Sequence, residues 1–153
     1  MLRLSKLTDY AVVVLTRLED ADEGGVLTAP GLAARTGLAE PTVSKVLKIL
    51  AQGGLVEGRR GAAGGYRLAR ALADIPLTDV ITAIDGPIAL TACVDNAAGL
   101  CDAEATCPVR GRWDPVNDAI RRALSGISIA DLARAPAIVP HPEALPRAYL
   151  AAE

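Results

Sequence analysis

Thr28-Ala-Pro-Gly-Leu-Ala-Ala-Arg-Thr-Gly37-Leu-Ala-Glu-Pro41-Thr-Val-Ser-Lys-Val-Leu-Lys-Ile-Leu-Ala-Gln-Gly53-Gly-Leu-Val-Glu-Gly-Arg-Arg-Gly-Ala-Ala-Gly-Gly-Tyr-Arg-Leu68 packs two helix signatures and a hairpin signature into 41 residues. Thr28 is a suitable N-cap for a short helix through Arg35, and Gly37 just beyond suits a left-handed C-cap. Residues 38–41 open a second helix, with Pro41 tolerated in the first turn because the N–H it lacks would have no intrahelical partner. Val43, Val46, Leu47 and Leu50 make one apolar stripe, Thr42, Ser44, Lys45 and Lys48 fall mostly on other faces, and Gly53-Gly54 stops the helix. A short helix, a Gly-bearing turn and a longer helix with a short-chained, basic outer face is the arrangement of a helix-turn-helix able to enter a major groove. An ordinary helical hairpin with a solvated face would read the same way.

The next residues favour the first reading. Leu55-Val-Glu57 and Tyr66-Arg-Leu68 predict two short strands around residues 58–65, which hold four glycines and the adjacent pair Arg59 and Arg60. Such a tip is flexible and basic, able to approach phosphates or a minor groove. A helix-turn-helix followed directly by a hairpin is a winged helix. The alternative is a Gly-rich surface turn whose arginines face water. No phosphate-loop or dinucleotide fingerprint accounts for the glycines.

Working outward, Leu7, Ala11, Val14, Leu15 and Leu18 predict a first helix over residues 6–19, with Thr8, Asp9 and Arg17 off its stripe. Downstream, Leu77, Val80, Ile81 and Ile84 predict a helix over residues 75–84, broken by Asp85-Gly86-Pro87. Asp114-Pro115 offers another start, with Asp114 as N-cap. Val116, Ala119, Ile120, Ala123 and Leu124 form its stripe, and Asn117, Asp118, Arg121 and Arg122 are expected to face out. So little chain remains for that stripe to cover that it is expected to pack against its copy in a homodimer, plain intrachain core being the alternative. A brief helix at residues 128–134 precedes a Pro-rich tail, residues 135–153, expected to be flexible. The expected class is mainly α: a winged helix-turn-helix at residues 1–70, a cysteine-bearing loop and dimerisation helices at 71–134, and the tail.

Residues 93–107 hold all three cysteines, Cys93, Cys101 and Cys107, with seven and five residues between them. The intervening residues are small, acidic or Gly and show no period. Thiolates are soft donors suited to zinc or to iron–sulfur clusters. Structural zinc usually takes cysteines in pairs two to four apart, so these wide gaps suit a two-iron or four-iron cluster better. Zinc and free, redox-reactive thiols stay open as readings. A fourth donor has several candidates: Asp95, Asp102 or Glu104 in the loop, His141 in the tail, or Asp9 on the first helix.

Bulk properties narrow the class. The chain has 153 residues, half of them apolar, with no Phe and one Trp, so its core must be aliphatic. Residues 1–70 carry ten Lys/Arg against seven Asp/Glu, net +3, and residues 71–153 carry six against eleven, net −5. A basic front half suits a polyanion such as double-stranded DNA. The longest apolar run, residues 11–15, is too short for a membrane span and lacks signal-peptide flanks, so a cytoplasmic location is expected, where thiols stay reduced. With one histidine in the tail, no Ser/His or Cys/His pair is available for nucleophilic catalysis.

The opening Leu2-Arg-Leu-Ser-Lys-Leu-Thr-Asp-Tyr10-Ala, the second helix of the motif ending in Gly54-Leu-Val, the wing Arg60-Gly-Ala-Ala-Gly-Gly-Tyr66-Arg-Leu, and Val80-Ile-Thr-Ala-Ile-Asp-Gly86-Pro ahead of the cysteines resemble the winged-helix iron–sulfur regulators of the IscR/NsrR type over about residues 1–133. The opening and Asp85-Gly-Pro-Ile-Ala-Leu-Thr91 are most similar to the branch regulating the SUF cluster-assembly operon. The resemblance implies a homodimer on an operator, with Cys93, Cys101 and Cys107 as cluster ligands. Arg110 stands where the repressor branch has histidine, while Asp9 stands where the sensor branch has an aspartate donated across the dimer, which makes Asp9 the preferred fourth ligand. Thr42, Ser44 and Lys45 are the expected groove contacts, Arg59 and Arg60 the wing contacts, and Lys48 a phosphate contact. The function expected is a repressor of cluster-assembly genes that senses cluster status, with a cluster-free thiol-redox or nitric-oxide-responsive regulator as the alternative.

Overall fold

The computed structural model describes residues 3–21, 25–61, 64–91, 94, 106–109 and 111–134. In chain order these form α1 (Lys6–Glu19), α2 (Ala29–Thr36), α3 (Glu40–Gln52), β1 (Val56–Arg59), β2 (Gly65–Leu68), a 3₁₀ turn (Leu72–Asp74), α4 (Leu77–Asp85), α5 (Asp114–Ser125) and α6 (Ile129–Arg134). The fold is a winged helix. No helix among the described residues is long and apolar enough to cross a membrane.

Local chemistry sets the boundaries. Ser5 caps α1 by accepting the Thr8 N–H, Thr28 caps α2 by accepting the Gly31 N–H, and Gly37 ends α2 at φ 71°. Pro41 occupies the first turn of α3, as its sequence predicts. The strands pair antiparallel with Val56 opposite Leu68 and Arg59 opposite Gly65. β1 lies one to two residues nearer the tip than predicted: Leu55 is fully buried and spends its N–H on the Leu50 carbonyl, so it ends α3 rather than starting the strand. Likewise α4 begins at Leu77 rather than Ile75. Pro76 forces Ile75 into extended backbone (φ −105°, ψ 100°) and then itself caps the helix.

The core is one aliphatic cluster. Val14, Leu15 and Leu18 of α1, Leu32 of α2, and Val43, Val46, Leu47 and Leu50 of α3 meet Leu55, Leu72, Ile75, Val80 and Ile81. Each fully buried leucine here contributes about 2 kcal/mol by leaving water. Two residues depart from the predicted patterns. Thr8, read as off the stripe of α1, is buried within it, and Asn117, expected to face out of α5, is fully buried. Both are tolerated for one reason: each polar group finds its hydrogen bonds inside, as described below.

After α5 the chain returns to the same core. Leu77 N–H donates to Ile127 C=O (2.8 Å) and Ile129 N–H to Ile75 C=O (2.9 Å). A Ser128–Asp131 capping pair starts α6, with Ser128 N–H and Oγ both donating to Oδ2 of Asp131. Those bonds hold the Asp131 carboxyl below its ordinary pKa. Ile129 and Ala130 then join the cluster that α1 and α3 built. Residues on both sides of position 70 therefore share one core.

Candidate nucleic-acid interface and cysteine loop

The outer face of α3 follows from its stripe. Because Val43, Val46, Leu47 and Leu50 point inward, Ser44, Lys45 and Lys48 are exposed and Thr42 is half-buried. The wing stands beside this face because its base is fixed twice. Leu27, just before α2, exchanges two backbone hydrogen bonds with Tyr66 (2.9 and 2.8 Å). The backbone approach is so close that a Cβ on Gly65 would lie 2.8 Å from the Leu27 carbonyl oxygen.

Lys48, Gln52, Arg59, Arg60 and Tyr66 consequently line one open cleft of about 490 Å3 between α3 and the wing. Of the predicted contacts, the structure brings together Lys48 and the two wing arginines; Thr42, Ser44 and Lys45 lie outside that cleft, toward the start of α3. Gln52 and Tyr66 were missed by the sequence reading. Gln52 carried a signal, lying one helical turn after Lys48. The wing's third arginine is committed elsewhere, since Arg67 donates to Oε2 of Glu57 through Nε (2.9 Å) and an Nη (2.6 Å). Arg70 is likewise paired with Asp79. The cleft thus carries three cations, Lys48, Arg59 and Arg60, not neutralised by these pairs.

The entry to the cysteine loop is well defined. At the end of α4, Oδ2 of Asp85 accepts from the Thr8 hydroxyl (2.7 Å) and from Ser5 N–H (3.2 Å). Partial burial raises the Asp85 pKa, but the bonds from Ser5 and Thr8 outweigh it and leave the carboxyl below its ordinary value. Gly86 then reverses the chain at φ 90°, a conformation that favours glycine. The following segment is gripped by Asn117 of α5, whose Oδ1 accepts Leu90 N–H (3.1 Å) and whose Nδ2 donates to Ile88 C=O (3.0 Å). Val94, one residue past Cys93, is buried. The segment that leads into the cysteine loop is thus anchored through residues 88 and 90.

Of the predicted ligands, Cys107 is a half-buried free thiol, and Asp9 is exposed on α1 beside the buried Thr8. Cys93 and Cys101 lie outside the described residues, as do Asp95, Asp102, Glu104, Arg110, His141 and the tail 135–153. Among the described residues no three His, Cys, Asp or Glu side chains gather as a metal site. On α5, Asp114 is the first helical residue and Trp113 the cap position, which carries no side-chain capping bond. The helix has two faces. Asn117 and Leu124 turn toward the chain's own core, while Val116, Ile120 and Ala123, with Trp113 at the cap before the helix and Ile127 just after it, repeat at spacings of three and four and are exposed or only half-buried.

Comparison with known proteins agrees with this architecture. A protein of Mycobacterium tuberculosis (strain ATCC 25618 / H37Rv) described as an HTH-type transcriptional regulator is 32% identical over 135 residues, covering 86% of this chain and 81% of its own. The structure of CymR, the global cysteine regulator of B. subtilis, superposes with a TM-score of 0.64 at 25% identity, covering 87% of this chain and 97% of that one. IscR of T. potens gives a TM-score of 0.61 at 28% identity, with 86% and 85% covered. Residues 4–135 match the Rrf2 family model, described as iron-dependent transcriptional regulator. This chain belongs to the Rrf2 family of transcriptional regulators.

Proposed function

We propose that the chain is a homodimeric repressor of iron–sulfur cluster assembly genes, of the SUF type, whose hold on a double-stranded operator depends on a cluster bound by Cys93, Cys101, Cys107 and, across the dimer, Asp9. One observation carries the reading: the segment entering the cysteine loop is hydrogen-bonded to α1 through Asp85 and to α5 through Asn117. A change in the loop therefore bears on both the DNA-reading half and the helix offered for pairing. The donor set suits cluster iron, since it offers soft thiols, among them a half-buried free Cys107, plus an exposed Asp9 carboxylate with no described partner. When bound, a cluster supplies a redox- and iron-sensitive cross-link among its ligands. Thr42, Ser44 and Lys45 contact the groove in this reading, and Lys48, Arg59 and Arg60 hold the backbone.

The pairing surface is the outer face of α5. Its three-four repeat is the seam of a two-stranded coil, and a seam built from one helix is self-complementary. Half-site spacing then converts a small change in the angle between subunits into a large change in operator affinity.

The test is an anaerobic absorption spectrum with iron and acid-labile sulfide analysis, beside a gel shift on the chain's own upstream DNA. Visible absorbance that disappears in Cys101→Ala supports the cluster; retained colour removes Cys101 from the ligand set. A colourless, iron-free protein whose DNA binding responds to thiol oxidation or nitric oxide would establish the second reading, a cluster-free thiol regulator, which the likeness to CymR, a cysteine regulator by name, favours.

A further inference from the structure

Asn117 is the buried polar residue of a helix whose other polar side chains, Asp114, Asp118, Arg121, Arg122 and Ser125, face water. Burying a side-chain amide without partners costs several kcal/mol, while leucine would fill nearly the same volume and strengthen the core. The amide is therefore matched to a polar target. That target is the backbone of residues 88–90: Leu90 N–H can only donate and Ile88 C=O can only accept, so the orientation of the amide is fixed by its partners. It meets them as a neighbouring strand would and satisfies backbone that has no sheet or helix of its own.

The gripped segment has fixed ends. Upstream, Gly86 turns away from Asp85, which is bonded to Ser5 and Thr8 beside Asp9. Downstream, Val94 is buried next to Cys93. Asp85 at the start of this segment is thus held by α1 and residues 88–90 by α5, and Val94 further on is buried.

We propose that Asn117 is a positioning residue that transmits the state of the cysteine loop to the pairing helix, through its two hydrogen bonds to residues 88 and 90. Its two side-chain hydrogen bonds go to backbone that lies between the cysteines and the DNA-reading elements in the chain. The inference rests on the function proposed above, but it adds the physical link that function requires. Without the amide, residues 88 and 90 lose their hydrogen bonds to α5, and a rearrangement of the loop is absorbed before it turns the helix.

The experiment compares full-length wild type with Asn117→Leu, each cluster-loaded under anaerobic conditions and each stripped by chelation. For wild type, operator affinity differs between the two states by about 5- to 150-fold, the usual span for coupled sites. In Asn117→Leu the ratio falls to about twofold or less, with stripped-state affinity kept and the Leu90 amide exchanging with deuterium about tenfold faster while Val46 stays protected. A variant that retains the wild-type ratio overturns the inference alone. A wild type whose affinity ignores loading overturns both the inference and the proposed function. Should Asn117→Leu not fold, exchange in wild type decides: loading alters protection at Leu90 more than at Val46 if the inference holds, and equal change at both overturns it.

Discussion

Thr8 and Asp85 lie 77 positions apart and share a 2.7 Å hydrogen bond, the hydroxyl donating to the carboxylate. The bond joins the first turn of α1 to the last turn of α4, so the positive end of one helix meets an anion at the end of the other. It also explains why a threonine occupies a buried position on the stripe of α1. The Asp85 carboxyl sits below its ordinary value near 3.8: burial acts to raise it, and the Ser5 and Thr8 bonds more than compensate.

The sign of the pH effect follows. A carboxyl with a lower pKa folded than unfolded stabilises the fold fully above the unfolded value, and that contribution is lost as pH falls through the folded one. Asp85→Asn is therefore expected to melt below wild type at pH 7, with the gap closing below about pH 4. Thr8→Val should cost about 1 kcal/mol at pH 7. Melting curves from pH 3 to 7 check both; a gap that stays constant with pH would remove the ionised carboxylate as the cause.

Salt dependence separates the wing arginines. Arg59 and Arg60 line the cleft beside Lys48, whereas Arg67 is tied to Glu57 by bonds of 2.6 and 2.9 Å. Each DNA phosphate that the protein no longer neutralises reduces the slope of log affinity against log salt by about 0.9. Replacing Arg59 and Arg60 together by Ala should lower that slope by about 2, and Arg67→Ala should leave it within about 0.5. Equal effects would mean that the Glu57 pair does not hold in the complex.

Gly65 offers a test of wing placement without touching charge. An added Cβ would come within 2.8 Å of the Leu27 carbonyl oxygen and 3.1 Å of the Val26 Cβ, so the wing must shift from its seat against residues 26–27. Gly65→Ala is expected to weaken DNA binding about tenfold while costing the core, which lies elsewhere, about 1 kcal/mol. Binding titrations beside urea melts measure the two; unchanged affinity would show that the cleft does not depend on this contact.

Local order is written in the sequence more plainly than distant pairing. The stripes of α1 and α3, the Thr28 cap, the Gly37 stop and the hairpin were legible because each rests on local rules of spacing and capping. Thr8 and Asn117 were misread because period alone assigns polar residues outward, and their partners, Asp85 and residues 88–90, are far away in sequence. The 3₁₀ turn at Leu72–Asp74 and the return of α6 to the core were hidden for the same reason: both depend on Ile75 pairing with Ile129. Lys48, Arg59 and Arg60 were chosen separately by charge and exposure, but only the packing of the wing against Leu27 puts them in one cleft.

The outer seam of α5 yields the most discriminating prediction. Val116 is 44% exposed and Trp113 is 41% exposed, so neither belongs to the buried core of the subunit. A charge at such a position changes the stability of an isolated subunit by about 0.5 kcal/mol or less. In the centre of the seam that the proposed homodimer requires, the same charge would meet its own copy, and two like charges in a desolvated interface cost several kcal/mol. Val116→Asp is therefore expected to give a folded monomer by sedimentation at micromolar concentration. It should still bind a half-site weakly and lose the two-half-site operator by about a hundredfold or more, because one tethered wing no longer delivers the other. Leu124, on the inner face, is the control: Leu124→Ala should lower stability by about 2 kcal/mol and leave the oligomeric state alone. If Val116→Asp sedimented as wild type does, the repeat of three and four would have to be covered by something other than a second copy of this helix.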